Sequence, residues 1–193
     1  MSDEAIERIY RALIAGELVD EDLSARRLTT FLGKTTDVVY HRFGSVDRLL
    51  FEVSQLGYAA LRERLEAVFA RSKDLADLAQ AFVEFGLEHP GLYPLMFERR
   101  YEWAALRAAG VFERPTPSGE LLAAMTCLLE EAGAKDPIAE GRLLFAGLHG
   151  LVSLAASGRA NAGALDTPDR EVAIAAARDL ARRITPTKKG RPR

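Results

Sequence analysis

Apolar residues return three and four positions apart along almost the whole chain, and that spacing limits what it can fold into more than any single motif. Ile6, Ile9, Tyr10, Leu13 and Ile14 mark one stripe, and Leu49, Leu50, Val53, Leu56, Leu61, Leu65, Val68 and Phe69 mark a longer one. Side chains three or four apart share one face of an α-helix, whereas a half-buried strand needs strict alternation. No alternating run with a hairpin turn competes, and leucine, alanine, arginine and glutamate, all good helix formers, dominate. The expected fold is all-α: three N-terminal helices forming a helix-turn-helix unit, joined by a long fourth helix to a second helical domain.

The punctuation between stripes supports this layout. Gly16 ends a first helix, and Ser24 is placed to cap a second whose inward face is Leu28, Phe31 and Leu32. Gly33 turns the chain, Thr35 or Thr36 can cap a short third helix through His41, and Gly44-Ser45 separates it from the long fourth. After Ser72 the stripe resumes at Leu75, Leu78, Phe82 and Phe85, and it stops at His89-Pro90 because a residue before proline avoids the helical region. A new helix is expected near Gly91. The segment Ala108–Gly119, with two glycines and two prolines, reads as the clearest loop. Helices are then expected over Ser118–Ala132, Pro137–Ser157 and Pro168–Ile184. The domains that follow are 1–50, 51–184 and a basic disordered tail, 185–193.

A net charge of −2 over 193 residues excludes a protein coated in positive charge, so any attraction for phosphate must be local. From Leu23 to Arg48 the cations Arg26, Arg27, Lys34, Arg42 and Arg48 face only Asp37 and Asp47. The first 22 residues, by contrast, hold seven acids against Arg8 and Arg11. A single cysteine, Cys127, excludes an intrachain disulfide and a multi-thiolate metal site, and it reads as a small core residue of its helix. The N-terminus does not look like a signal peptide. Leu143–Ala156, the longest nearly apolar run, is broken by His149 and Ser153 and falls short of the about 20 residues that span a bilayer. The expectation is a cytoplasmic protein without a membrane partner.

Catalytic and metal chemistry find few candidates. Ser153 lies one turn beyond His149, but no strained nucleophile elbow or orienting carboxylate accompanies them. His41, His89 and His149 are far apart and lack the paired spacing of helical zinc sites. The chain therefore reads as a non-enzyme with no metal and no cofactor.

At LTTFLGKTTDVVYHRFGSVDRLL the residues resemble the DNA-binding domain of the TetR family of bacterial transcriptional regulators. The resemblance rests on several features together: Leu32-Gly33, a threonine pair opening the next helix, Val39-Tyr40-His41, Arg42-Phe43-Gly44-Ser45, and then Asp47 and Leu49. FVEFGLEHPGLYPLMF (Phe82–Phe97) and GLHGLVSLAASGR (Gly147–Arg159) are similar to one type of ligand-binding and dimerisation domain in that family, the type carrying a His-Gly motif. The resemblance implies a homodimer that reads a double-stranded operator through two heads about 34 Å apart. Such a regulator is commonly a repressor released by a small hydrophobic effector.

The site residues follow from where side chains point on the third helix. Lys34, Thr35, Thr36 and Asp37 would face base edges, while Val38 and Val39 point partly inward. The resemblance gives Tyr40, His41 and Arg42 to phosphate or base, and Ser24 offers a phosphate its hydroxyl and free backbone N–H groups. Asp37 has two readings: an acceptor for a cytosine amino group, or a complement to the positive end of its own helix. Val46 stands where the family usually has a phosphate-contacting lysine. The tail KKGRPR resembles a minor-groove hook, although a solvated tail explains it as well; Arg182 and Arg183, without acidic neighbours, would add to its charge.

The effector is expected among Phe82, Phe85, Tyr93, Met96, Phe97, Tyr101, Trp103, Met125, Phe145 and His149, with His149 or Tyr93 as polar anchor in an apolar cavity. The helix up to Ser157 is apolar on nearly every face and must be covered on nearly every face. A two-helix surface with the last helix, pairing into a four-helix bundle, accounts for that, as does closure of the monomer's own core. The rival reading is a helical ligand- or partner-binding dimer whose DNA binding has weakened.

Overall fold

The computed structural model describes residues 2–19, 22–161 and 166–184, and within them the fold is all-helical. Ten helices are found among the described residues: α1 (Ser2–Ala15), α2 (Ala25–Leu32), α3 (Thr36–Phe43), α4 (Val46–Ser72), α5 (Leu75–Glu88), α6 (Leu92–Phe97), α7 (Trp103–Ala108), α8 (Pro117–Glu131), α9 (Pro137–Ala156) and α10 (Asp169–Ile184). The basic tail from 185 onward lies outside the described residues. Close packing divides the chain into two units. One is Met1–Ala60 with His89–Glu120, and the other is Leu61–Glu88 with Leu121–Arg193. The segment 89–120, which the sequence places in the second domain, thus packs with the first sixty residues.

In the first unit, Ile9 and Leu13 of α1, Leu28 of α2, and Leu49, Leu50 and Val53 of α4 are withdrawn completely from solvent, with Leu92 and Leu95 of α6 beside them. Burying an aliphatic side chain of this size stabilises the fold by about 1.5–3 kcal/mol, so this face alone explains why α1 and α4 hold their positions. Gly91, just before α6, lies against the end of α1: a Cβ there would stand 2.6 Å from the Leu18 carbonyl oxygen and 3.0 Å from that of Leu13. Helix α7 falls where the sequence reads only unassigned chain and the edge of a loop. Its six residues bury one side chain, Leu106, and so leave no stripe to read.

In the second unit α5 is enclosed by α9 and α10. Its buried residues run around most of the helix, including Leu75, Leu78, Phe82, Val83 and Phe85. Small residues set how closely its partners approach. Helix α10 turns Ala173, Ala177 and Ala181 inward, four apart on one face. A Cβ on Gly147 of α9 would collide with Leu180 of α10. Ion pairs close the rim: Arg64 reaches Glu84 at 3.1 Å, Arg170 reaches Glu88 at 3.2 Å, and Arg178 reaches Asp77 at 2.6 Å.

Three findings bear on the sequence expectations here. Cys127 is exposed rather than core, because α8 buries Leu121 and Leu129, eight apart, and Cys127 lies off that line. Within the chain α9 covers only Leu144, Leu148 and Val152, and leaves Ile138, Leu143, Phe145 and Leu154 exposed. At 20 residues α9 is also longer than the apolar run inside it, and by length and composition it is long and apolar enough to cross a membrane. Arg182 is not without an acid either: it pairs with Asp179 one turn back at 3.1 Å.

Candidate nucleic-acid interface

The turn between α2 and α3 is built by its own hydrogen bonds. Ser24, in extended conformation, caps α2 by accepting from the Arg27 N–H at 3.4 Å. Thr29 and Thr30 both return their hydroxyls to the Arg26 carbonyl at 2.9 Å, so neither is free to act as a donor elsewhere. Gly33 then takes φ 64°, a left-handed conformation that costs glycine little. In this turn the Gly33 N–H donates to the Thr30 carbonyl at 3.1 Å and the Lys34 N–H to the Thr29 carbonyl at 3.0 Å. Thr35 stands at the N-cap of α3, but its side chain makes no capping hydrogen bond. Its hydroxyl is not committed to the helix it precedes.

Helix α3 runs two residues beyond His41, to Phe43, because Val39 and Phe43, four apart, are both buried and anchor it through its last turn. The other sides face solvent. Lys34, Thr35, Thr36, Asp37, Tyr40 and His41 are exposed, and Arg42 is half-buried with its guanidinium 5.4 Å from the Phe43 ring centre. Seven of the eight sequence-assigned residues thus lie on α3 or in the turn before it, while Ser24 stands at the start of α2. Val38 departs from expectation: it is 47 % exposed rather than turned inward. With Asp37, His41 and Arg42 it lines an open concavity of about 620 Å³ on α3. The Val39–Phe43 spacing is the signal that separates the buried valine from its neighbour.

The residues assigned to the effector fall into separate clusters. In the first unit, the Tyr93 and Phe97 rings meet at a tilt with centres 4.8 Å apart, Phe97 meets Tyr58 at 5.2 Å, and Met96 lies so close to Gly57 that a Cβ there would be 2.6 Å from its sulfur. The Tyr58 hydroxyl donates to the Met96 carbonyl at 2.5 Å, and burial pushes that phenol up to about 12. Burial raises Tyr93 and Tyr101 as well. Tyr101 and Trp103 join Phe51 and Phe112 in a second aromatic group, where Trp103 packs 5.4 Å from Tyr101 yet stays 52 % exposed. In the second unit Phe82 meets Phe145 at 6.1 Å, and the His149 ring lies nearly parallel to Phe145 at 5.8 Å. Phe85 is buried and Met125 half-buried.

Sequence reasoning missed a polar contact between α4 and α8. Gln55 is buried, gives its amide N–H to Ser54 at 3.2 Å, and accepts from the Ser118 N–H at 3.0 Å, serving the start of α8. Its partner is 63 residues away, beyond the reach of any local pattern. No group of three or more histidine, cysteine or acidic side chains placed to hold a metal is found among the described residues.

A short exposed helix after a tight turn, three helices in, followed by a long helix and a helical second half, defines an all-α protein with an N-terminal helix-turn-helix. Residues 75–180 match the family model described as "Tetracyclin repressor-like, C-terminal domain". That match takes in more than half of the chain, and the chain belongs to the TetR, or tetracyclin repressor-like, family. No curated protein matches the sequence. Among solved structures, a protein with unknown function from Rhodococcus sp. RHA1 is similar at a TM-score of 0.62 and 23 % identity, over 91 % of this chain and 95 % of that one. At that identity the likeness is one of fold.

Proposed function

We propose that this chain is a ligand-responsive, DNA-binding transcriptional regulator of the TetR family, acting in the cytoplasm as a homodimeric repressor released from its operator by a small hydrophobic effector. The observation that carries the reading is the solvent face of α3. Lys34, Thr35, Thr36, Asp37, Val38 and His41 are exposed together, while Val39 and Phe43 anchor the opposite side. A helix held at its back, with short polar groups at its N-terminal turn, suits major-groove readout, and Val38 adds an apolar contact for a thymine methyl. Tyr40, His41, Arg42 and Ser24 are assigned to phosphate. In this reading 1–50 is the reading head, 51–184 binds the effector and the second copy, and the His149-Gly150 pair marks the type of effector domain. The aromatic clusters at Tyr93, Trp103 and Phe145 are the candidate effector contacts.

The experiment is selection of genomic fragments by the purified protein, followed by gel shifts at graded salt. Tyr40→Ala is expected to weaken all sequences alike, and Thr36→Ala, Asp37→Ala or Val38→Ala to cost about 1 to 3 kcal/mol at particular base pairs. If none of these three changes preference, α3 is not the reading surface. The rival, a helical partner-binding dimer with weakened DNA binding, is favoured by Val46 and Asp37 on the head and by the exposed apolar side of α9. Recovery of no preferred sequence would decide for it.

A further inference from the structure

Asp47 sits in the first turn of α4, where an acid ordinarily serves its own helix by complementing the positive end. That service is already provided by Ser45, whose hydroxyl accepts from the Arg48 N–H at 3.1 Å. The Asp47 carboxylate turns elsewhere. One oxygen accepts from the Arg99 guanidinium at 3.0 Å and the other from the Glu102 backbone N–H at 3.2 Å, partners 52 and 55 residues away. The ion pair is only 22 % and 24 % exposed, so water screens it less than a surface pair. Just beyond it, the Tyr101 hydroxyl donates to the Leu50 and Leu95 carbonyls at 3.4 and 3.0 Å, and Phe51 meets the Tyr101 ring at 5.8 Å. The segment from Arg99 to Trp103 is therefore fastened to the first two turns of α4, and only Gly44, Ser45 and Val46 separate Asp47 from α3.

We propose that Asp47 is the positioning residue of the reading head: by holding Arg99 and Glu102 it fixes the start of α4, and with it the pitch of α3, against the segment that carries Trp103 and Phe112. The proposal rests on α3 being the reading helix, and it makes two separable claims, one about the joint and one about DNA. Simple electrostatics predicts the reverse of positioning, because removing a negative charge beside the reading helix should strengthen attraction for phosphate.

The test compares wild type, Asp47→Asn, Asp47→Ala, Arg99→Met and the Asp47→Ala, Arg99→Met double variant as full chains, each first shown to be folded by circular dichroism. Hydrogen exchange without DNA is expected to accelerate in both 36–50 and 99–108 in every variant and to stay unchanged in 75–88. The double variant should be no faster than Asp47→Ala. Acceleration in one stretch alone, or additive effects in the double variant, overturns the joint. On DNA selected by the wild type, Asp47→Ala is expected to weaken binding about tenfold, the scale of one charge-assisted hydrogen bond, at unchanged salt slope. Asp47→Asn, which keeps an acceptor for Glu102, should lose less. Equal or tighter binding by Asp47→Ala overturns the positioning role. If the wild type selects no DNA, the regulator reading fails, while exchange still decides whether the joint exists.

Discussion

The Arg178 guanidinium of α10 donates to the Asp77 carboxylate of α5 at 2.6 Å and, from the same nitrogen, to the Gln80 side-chain oxygen at 2.7 Å. That hydrogen bond holds the Asp77 carboxyl below its ordinary value of 3.8. A depressed folded-state value means the pair contributes fully above the unfolded value, and the contribution is lost as pH falls through the folded one. Glu88, lowered chiefly by its hydrogen bond from Arg64, acts with the same sign from 4.5 downward. Arg178→Met should lower unfolding stability by up to about 1 kcal/mol at neutral pH, the range of partly exposed pairs. Urea melts should find that gap narrowing as the pH drops below 3.8 to what the Gln80 hydrogen bond leaves; a gap of unchanged size in acid excludes Asp77 as the partner.

Gly91 makes a sharper demand, because the atoms facing it belong to the backbone and cannot rotate away. A methyl group there would meet the Leu18 oxygen at 2.6 Å. Gly91→Ala is expected to cost about 1–3 kcal/mol, as overpacking does elsewhere, although its own backbone conformation suits alanine. Thermal unfolding measures it, and an unchanged midpoint would mean that α1 does not end against α6.

Most helix ends were legible because they are chemical: Ser24 caps, Gly33 turns, and Pro137 opens α9 where its missing N–H costs nothing. What escaped the sequence has two physical causes, distance along the chain and ambiguity between neighbours. Val38 and Val39 are both apolar, and only the four-residue spacing from Val39 to Phe43 tells which is buried. Asp47 looks like a helix-start acid because its partners are more than fifty residues away. Helix α9 is apolar nearly all round, so its sequence asks for cover without saying which side the chain itself supplies. The candidate effector residues were recognisable as aromatic, but not as members of distinct clusters.

That uncovered side of α9 carries a measurable consequence. Leu143 is 62 % exposed, and Leu154 is exposed three turns on. In a two-fold dimer each substitution acts twice, so Leu143→Glu should weaken association by roughly 3 kcal/mol or more from lost burial alone. The monomer's own core is untouched, and its circular dichroism should not change. Sedimentation at graded concentration checks this; a dimer of unaltered affinity would place the interface elsewhere.

Val46 opens α4, half-exposed, three residues after the end of α3. A lysine there would add a cation to the side that Val46 leaves half-exposed. If that side lies along the phosphate backbone, Val46→Lys adds one phosphate contact per head, and each contact on duplex DNA steepens the logarithmic salt dependence by about 0.9. The variant should therefore bind more tightly than wild type at low salt and converge with it as salt rises. It should gain equally on selected and unrelated sequences, since a phosphate contact reads no base. A tighter complex with an unchanged slope would mean that the lysine acts through folding of the head rather than on DNA. No gain at any salt would move the start of α4 away from the duplex.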